Sequence, residues 1–306
     1  MSIERRKGTC VLCSSESFLK IIQDVLDFEY DTSGNWDYLQ CGQCGLLNIS
    51  PIPDSAKIKE AYPESYHAYH AHGSKIARIM KRRFWRSKAK RYSRFLKPET
   101  LVLELGCSFG DLLDQLNALG FQHLKGLEFN RIAVENSCKR GLDVEQGEIG
   151  EVALEGEFGM IIMENFIEHV NNPVKTFSQC NRVLHEKGFL VGETPNMQSW
   201  DYKLFKKYWG GFHAPRHLSV FNKNNLAILA EKAGFEVIYI SNLLQPAHWA
   251  LSVQNWAHSI LHAKVLNGRS IYFPFLLILA FPVNLIQSLC SQTSSVEFVF
   301  QKIRSL

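Results

Sequence analysis

The 306-residue sequence has no strong excess of either charge. A net charge of +4 with 21% charged residues is too mild to imply a nucleic-acid partner. Internal repeats and low-complexity tracts are not evident. Eight cysteines are too few and too unevenly spread for a disulfide scaffold, since four form two Cys-x-x-Cys pairs and the others stand singly. Met1 to Lys7 is polar and charged, so no secretory signal is visible; reduced thiols and a cytoplasmic address are the expectation. No apolar run reaches the ~20 residues of a spanning helix. The longest, Ile271 to Ile286, is broken by two prolines and an asparagine. Two readings of that run stay open, a buried core helix as the plainer one and contact with a membrane surface as the sharper.

What remains is an ordinary globular composition, 46% apolar, enough for one sizeable core and a smaller satellite. Three regions are distinguishable. Residues 1 to about 60 hold both cysteine pairs within short strand-like stretches, TCVLC and YLQCGQCGLLN. Residues 61 to 98 are aromatic, then strongly basic: Lys75 to Lys97 contains eleven Lys or Arg and no acid. There Ile76, Ile79, Met80, Phe84, Tyr92 and Phe95 are spaced as a helical apolar stripe, which predicts an amphipathic linker or lid. From 99 to 306 strands and helices alternate, with an apolar insertion at about 245–292. LVLEL, LKGLEF, LDVEQG, MIIM, GFLVGET, FEVIYI and the tail Val296 to Gln301 read as strands. Asp111 to Leu119, Ile132 to Lys139, Pro173 to Leu184 and Asn225 to Lys232 read as helices. That alternation predicts an α/β fold, a doubly wound, mostly parallel Rossmann-like sheet, with a small N-terminal module.

Glu104-Leu105-Gly106-Cys107-Ser108-Phe109-Gly110 follows the first of these strands and opens a helix. Such a turn uses glycine for positive φ and for close approach of backbone to a ligand. Glu128 ends the next strand, where a carboxylate can accept both hydroxyls of a nucleoside ribose. Dinucleotide enzymes want G-x-G-x-x-G so that a helix N-terminus receives a pyrophosphate. Here Ser108 takes the place of the second glycine, and Glu104 would repel a pyrophosphate. An acid at that point suits a cofactor with a cationic, amino-acid-bearing end.

ELGCSFG followed by GLEFN resembles motifs I and II of the class I S-adenosylmethionine-dependent methyltransferases. FGMIIMENFIEHVNNP and RVLHEKGFLVGETPN resemble the regions around the family's fourth and fifth strands, so the likeness runs from about Leu101 to Ile240. It implies S-adenosyl-L-methionine as cofactor. Gly106, Ser108 and Gly110 would then wrap the methionine moiety, and Glu104 would face its amino group. Glu128, with Phe129, would hold the ribose, and Glu148, with Ile149, would sit near the adenine. Glu164 and Asn165 would line the pocket. Gly159, where the family usually has Asp, and Ser108 in place of Gly are departures.

Cys10 and Cys13, with Cys41 and Cys44, are two Cys-x-x-Cys knuckles that can present four thiolates to a structural Zn²⁺. CGQCGLLNISPIPDSAKIKEAYPESY resembles the zinc-ribbon lead-in ahead of many such methyltransferases, sugar methyltransferases among them, which implies a lid or substrate-recognition role. Met1 to Tyr62 is not notably basic, which argues against a nucleic-acid-binding finger.

Methyl transfer to a hydroxyl or carbon acid needs a base. Glu168-His169 and the loop Trp209-Gly-Gly-Phe-His213-Ala-Pro-Arg216-His217 offer one. Pro215, Arg216, His217 and Phe221 match a stretch seen in related enzymes. His217 is the first candidate for base or substrate anchor and His169 the second, although each could also be packed or bonded to backbone. Arg216 could bind an anionic substrate group, and Tyr62, Tyr66 and His67 form a further pocket candidate. The expected reaction is methyl transfer to oxygen or carbon of a small molecule, best a nucleotide-linked or lipid-linked sugar. The alternatives are a non-catalytic zinc-ribbon adaptor and a membrane-associated lipid or quinone methyltransferase. No Asn-Pro-Pro-Tyr-type motif supports an RNA amine substrate. The basic stretch 75–97 with the run 271–286 leaves open peripheral contact with an anionic membrane.

Overall fold

The computed structural model describes residues 9–63, 75–290 and 292–305. Eleven strands and nine α-helices are named among them. The strands are β1 (Phe18–Val25), β2 (Trp36–Cys41), β3 (Leu47–Ser50), β4 (Val102–Leu105), β5 (Leu124–Glu128), β6 (Val144–Gln146), β7 (Phe158–Glu164), β8 (Leu184–Pro195), β9 (Ser219–Val220), β10 (Phe235–Leu243) and β11 (Ser295–Lys302). The helices are α1 (Ser55–Glu60), α2 (Lys75–Tyr92), α3 (Asp111–Asn117), α4 (Arg131–Lys139), α5 (Pro173–Val183), α6 (Trp200–Phe205), α7 (Lys223–Lys232), α8 (Ala247–Leu261) and α9 (Phe273–Leu289).

Seven strands form the central sheet in the order β10-β11-β8-β7-β4-β5-β6. All neighbours pair in parallel except β11, which runs antiparallel to both β8 and β10. Alternation along the strands assigns the two faces. Val102, Met160, Ile162, Val191 and Val299 pack against α2 and α3. Leu103, Ile161, Met163, Leu190 and Phe298 face the core beneath α5 and α7. The helices start where their caps dictate. Asn130 and Asn172 accept the backbone N–H of Ala133 and Lys175, Pro173 occupies the first turn of α5, and Asn222 with Asn225 forms a capping box on α7. The chain winds outward from β4 to β6 and returns to place β7 on the other side of β4. That puts the topological switch point between the carboxyl ends of β4 and β7.

A second, antiparallel sheet has the order β1-β2-β3-β9. Its fourth strand comes from beyond β8, so the N-terminal module does not close on itself near residue 60. Cys10, Leu12, Phe18 and Cys41 share one core with Phe221, Leu226 and Leu229.

Three expectations are corrected. The stretch around Cys10 and Cys13 is a turn, not a strand, because two thiols three residues apart converge only if the chain folds back. Helix α2 is no linker: its C-terminal half lies on the central sheet and buries Lys88, Ala89 and Tyr92, whereas Ile79, Met80 and Phe84 point outward. The run 271–286 is a helix, yet not a core helix. Its polar residues Asn284 and Gln287 are buried, and most of its apolar side chains are exposed. Tyr66 and His67 lie outside the described residues.

Candidate active site

The glycine turn joins β4 to α3 at the switch point. Gly106 has φ +67° and its N–H donates to the Leu127 carbonyl at 2.8 Å. A Cβ there would come within 2.7 Å of the Phe166 ring, so only glycine keeps the turn tight against the β7 loop. Ser108 takes a left-handed conformation too, at φ +49°, and its backbone N–H donates to Glu128 Oε2 at 2.9 Å. Glu128 Oε1 accepts from Asn130 N–H, also at 2.9 Å. The carboxylate is therefore held by two backbone donors at the end of β5, with lone pairs left over for further hydroxyls. Burial pushes its pKa up, against the backbone donors.

Glu104 is the more telling acid. It is buried, and its Oε2 finds no hydrogen-bond partner among the described residues. Burial, with Glu164, Asp111 and Glu128 nearby, pushes its carboxyl well above the usual range. A buried carboxyl that lacks a donor suits a ligand bringing a cation, which is the amino-acid end of S-adenosylmethionine. Phe129 is half exposed and meets Tyr62 edge-on at 5.6 Å. Glu148 is exposed on the turn after β6, and Ile149 is buried beside it.

At the end of β7, Glu164 does not line a pocket as a free carboxylate. It is paired with Lys88 and accepts from the Tyr92 hydroxyl. Lys88 also reaches Glu193 of β8 at 2.5 Å. Glu193 Oε1 in turn takes the Asn165 side-chain N–H at 2.6 Å, which fixes Asn165, the next residue along. Burial raises the Glu164 pKa and Lys88 opposes it. Among eleven basic residues between Lys75 and Lys97, nothing local singles out Lys88 for this part.

The histidines converge one strand further on. His169 and His217 lie edge to face with ring centroids 4.6 Å apart, and His213 is 4.8 Å from His217. His217 Nδ1 is 2.8 Å from the Gly211 carbonyl, so that nitrogen carries the proton and donates. Nε2 is left as the acceptor, 3.9 Å from Glu168 Oε1. That oxygen has no hydrogen-bond partner among the described residues, while Oε2 accepts from Thr194 Oγ1 at 2.9 Å. Burial pushes Glu168 up to about 8. Burial, then the neighbouring His169 and His213, holds His217 well below its ordinary value. Glu168 and His217 are therefore two neutral groups at pH 7 rather than an ion pair. Burial likewise takes His169 down to about 4. Its Nδ1 contacts the Arg216 carbonyl at 3.0 Å and the Tyr62 hydroxyl at 3.1 Å.

Arg216 is corrected as an anchor for a substrate anion. It is buried against Asp27 at 3.0 and 3.1 Å and Glu29 at 3.1 Å, and donates to the Ala61 carbonyl. Glu29 also takes Arg269 at 3.0 Å and pairs with His213. Burial opposes ionisation of Glu29, but His213, Arg216 and Arg269 together hold its carboxyl well below the usual range.

The four cysteines meet at the base of the second sheet. Cys10 and Cys44 sulfurs are 3.5 Å apart, those of Cys13 and Cys41 3.4 Å, and all four lie within 4.8 Å of one another. Thiolates at ~2.3 Å from a tetrahedral Zn²⁺ sit roughly 3.8 Å apart, so the donor set fits a metal of that size.

A Rossmann-like sheet with this strand order and a glycine turn at its switch point defines the methyltransferase fold. Residues 76–240 match the family model for a methyltransferase domain. That is more than half of the chain, and the chain belongs to this family of S-adenosylmethionine-dependent enzymes. A "Probable S-adenosylmethionine-dependent methyltransferase" of Mycolicibacterium smegmatis is 28% identical over 143 residues, 44% of this chain and 52% of that protein. The chain thus spans about half the length of the curated relative it matches. Among crystal structures, an S-adenosylmethionine-dependent methyltransferase from Archaeoglobus fulgidus aligns with TM-score 0.51 at 16% identity, over 81% of this chain and all of that one. The [4+2]-cyclase SpnF aligns with TM-score 0.50 at 14% identity, over 71% and 80%. At such identities the likeness shows the fold alone.

Proposed function

We propose that this chain transfers the methyl group of S-adenosylmethionine to oxygen or carbon of a small molecule, with a nucleotide-linked or lipid-linked sugar as the acceptor class. The observation that carries the reading is the meeting of Glu168, His169 and His217 at the carboxyl edge of β7 and β8, beside the strand that ends in the glycine turn. When bound, the cofactor supplies an electrophilic methyl on a sulfonium. Glu104 and Glu128 would hold its amino and ribose groups. His217 Nε2, kept unprotonated by burial and by the Nδ1–H bond to Gly211, would take the proton from the acceptor hydroxyl. Glu168, once ionised, would stabilise the resulting imidazolium. Buried Trp209 and Phe212 on the same loop exclude water from it. Cys10, Cys13, Cys41 and Cys44 would hold a structural Zn²⁺. The sugar class is favoured by the resemblance of the cysteine-bearing lead-in to that of sugar methyltransferases, together with the packing of its sheet on the histidine loop.

The test is purified full-length protein with methyl-labelled S-adenosylmethionine and fractions of sugar nucleotides and lipid-linked saccharides. Label should enter one of these fractions. His217→Ala should lower transfer by about 10²–10⁴-fold while cofactor affinity stays within about twofold. Transfer to no sugar-bearing fraction, or an undiminished rate in His217→Ala, would refute the respective part.

A further inference from the structure

Helix α9 is built inside out. A surface helix normally buries its apolar stripe and shows water its polar one. In α9, Asn284 and Gln287 are fully buried. Asn284 Oδ1 accepts the Gln245 N–H at 2.7 Å, and its Nδ2 donates to Gln287 Oε1 at 3.0 Å. Gln287 also accepts from Trp249 Nε1 at 2.7 Å and donates to Asp201 at 3.2 Å. From Pro274 to Ile286 every exposed residue is apolar. Ile278 is 70% exposed, and Leu289, about three turns further, is 80% exposed. The connection from α8 continues the patch through Leu261, Leu266 and Ile271. An apolar area of this extent on a soluble chain marks a surface that something covers.

We propose that the α8–α9 hairpin docks flat onto an anionic lipid bilayer. Three features select lipid over a protein partner or a second copy. A protein interface carries about one hydrogen bond per 100–200 Å², yet the exposed arc of α9 holds no group able to make one. No Asp or Glu occurs between Glu236 and Glu297, so nothing on the hairpin repels phosphate headgroups. Exposed Lys203, Lys206 and Lys207 lie at the end of α6. There Lys206 and Lys207 line, with Leu204 and Trp256, a groove of about 800 Å³. Cations beside inserted apolar side chains are what interfacial attachment uses.

The helix lies in the interface instead of crossing it. Its 17 residues span about 26 Å, the bonds of Asn284 and Gln287 hold its inner face to the protein, and no helix among the described residues is long and apolar enough to cross a membrane. The first turns of α8 hold the histidine loop, since Ser252 Oγ accepts the Gly210 N–H at 2.8 Å. The inference concerns attachment and does not depend on which acceptor is methylated, and its test reads binding, not turnover.

The experiment is flotation of the full chain with vesicles of phosphatidylcholine alone and with added phosphatidylglycerol. The protein should float with the anionic vesicles, and less so as salt rises. Ile278→Asp with Ile286→Asp should weaken binding at least tenfold, an order set by the loss of two inserted aliphatic side chains. Both positions are exposed, so melting temperature and cofactor affinity should be unchanged. Lys206→Glu with Lys207→Glu should remove most of the preference for the anionic lipid. The proposal is overturned if the wild type stays with the unbound fraction, or if the double Asp variant floats equally well. It is equally overturned if the wild type ignores vesicles and the Asp variant instead splits a dimer, which would make a second copy the occupant.

Discussion

Replacing Lys88 by Met tests the buried ion cluster directly. Lys88 is 2% exposed and lies between Glu164 and Glu193, themselves 4% and 2% exposed at the side chain. Met keeps the length and apolar stem but removes the charge. Among the described residues, two buried carboxylates then retain only the Tyr92 hydroxyl and the Asn165 amide as side-chain partners. Breaking a buried pair from one side costs about 3–5 kcal/mol, and for a domain of this size that lowers Tm by roughly 6–20 °C. The sign with pH follows from which group is left. Burial lowers the Lys88 pKa but Glu164 and Glu193 raise it more, so it lies above 10.5 and the stability it confers is complete below that value. Glu164 is already raised above its ordinary 4.5 with Lys88 present, and it rises further without it. The folded variant then holds a proton that its unfolded chain releases, so its stability falls as pH climbs from 4.5 through the folded pKa. Thermal unfolding at pH 5.5 and pH 8 should show a wild-type-to-variant gap that widens at the higher pH. Adding Glu164→Gln and Glu193→Gln should restore most of it. A gap under about 1 kcal/mol at pH 8, or one that ignores pH, would refute the placement of Lys88 between two charges.

Other consequences follow from the same sites. Glu104→Gln should weaken S-adenosylmethionine binding by about tenfold, the scale of one charge-assisted hydrogen bond. Calorimetry in buffers of different ionisation heat should show more proton release on cofactor binding by wild type than by the variant, because burial raises the free carboxyl well above its ordinary range and it must ionise to face an ammonium. If Glu168 must ionise to support His217, kcat/KM should rise with pH and level off above about 8. Glu168→Gln should abolish that limb, and a profile flat from pH 6 to 9 would count against the pair. Chelation, or Cys41→Ser, should remove one metal ion per chain by atomic absorption and lower activity strongly while leaving cofactor affinity within about threefold.

Much of the central sheet was legible because its signals are local. The short apolar runs that became β4, β5 and β7 are each followed by a helix, and the Gly106 to Gly110 turn announces its own left-handed conformations. The parts that were not legible depend on partners far away in the chain. Eleven basic residues between Lys75 and Lys97 look alike in sequence, and only the acids at 164 and 193 decide that Lys88 turns inward. Arg216 reads as an available cation until Asp27 and Glu29, some 190 residues earlier, are seen to take it. Strand β9 has two residues, too few for any period. In α9 nearly every side chain is apolar, so the pattern has no contrast from which to infer a face. Its direction is set by two polar residues that find partners on the protein.

Those distant pairings also tie the cysteine module to the histidine loop. The backbone of the histidine loop is held in part by the module, beside its bonds to α8 and to the β7 end. The Tyr38 hydroxyl, three residues before Cys41 on β2, donates to the His217 carbonyl at 2.9 Å and to that of Phe212 at 3.2 Å. Arg216, adjacent to His217, is clamped by Asp27 and Glu29 from the connection between β1 and β2. Strand β9, which follows directly, completes the module's sheet through β3. Glu104 and Glu128 are placed instead by β4, β5 and the turns that leave them, and Glu128 takes its bonds from Ser108 and Asn130 rather than from the module. A perturbation at the cysteines therefore reaches the imidazole that would take the proton before it reaches the groups that would hold the cofactor. On this geometry the cysteine module would act as the scaffold of the proposed substrate side, and its loss would separate cofactor binding from methyl transfer.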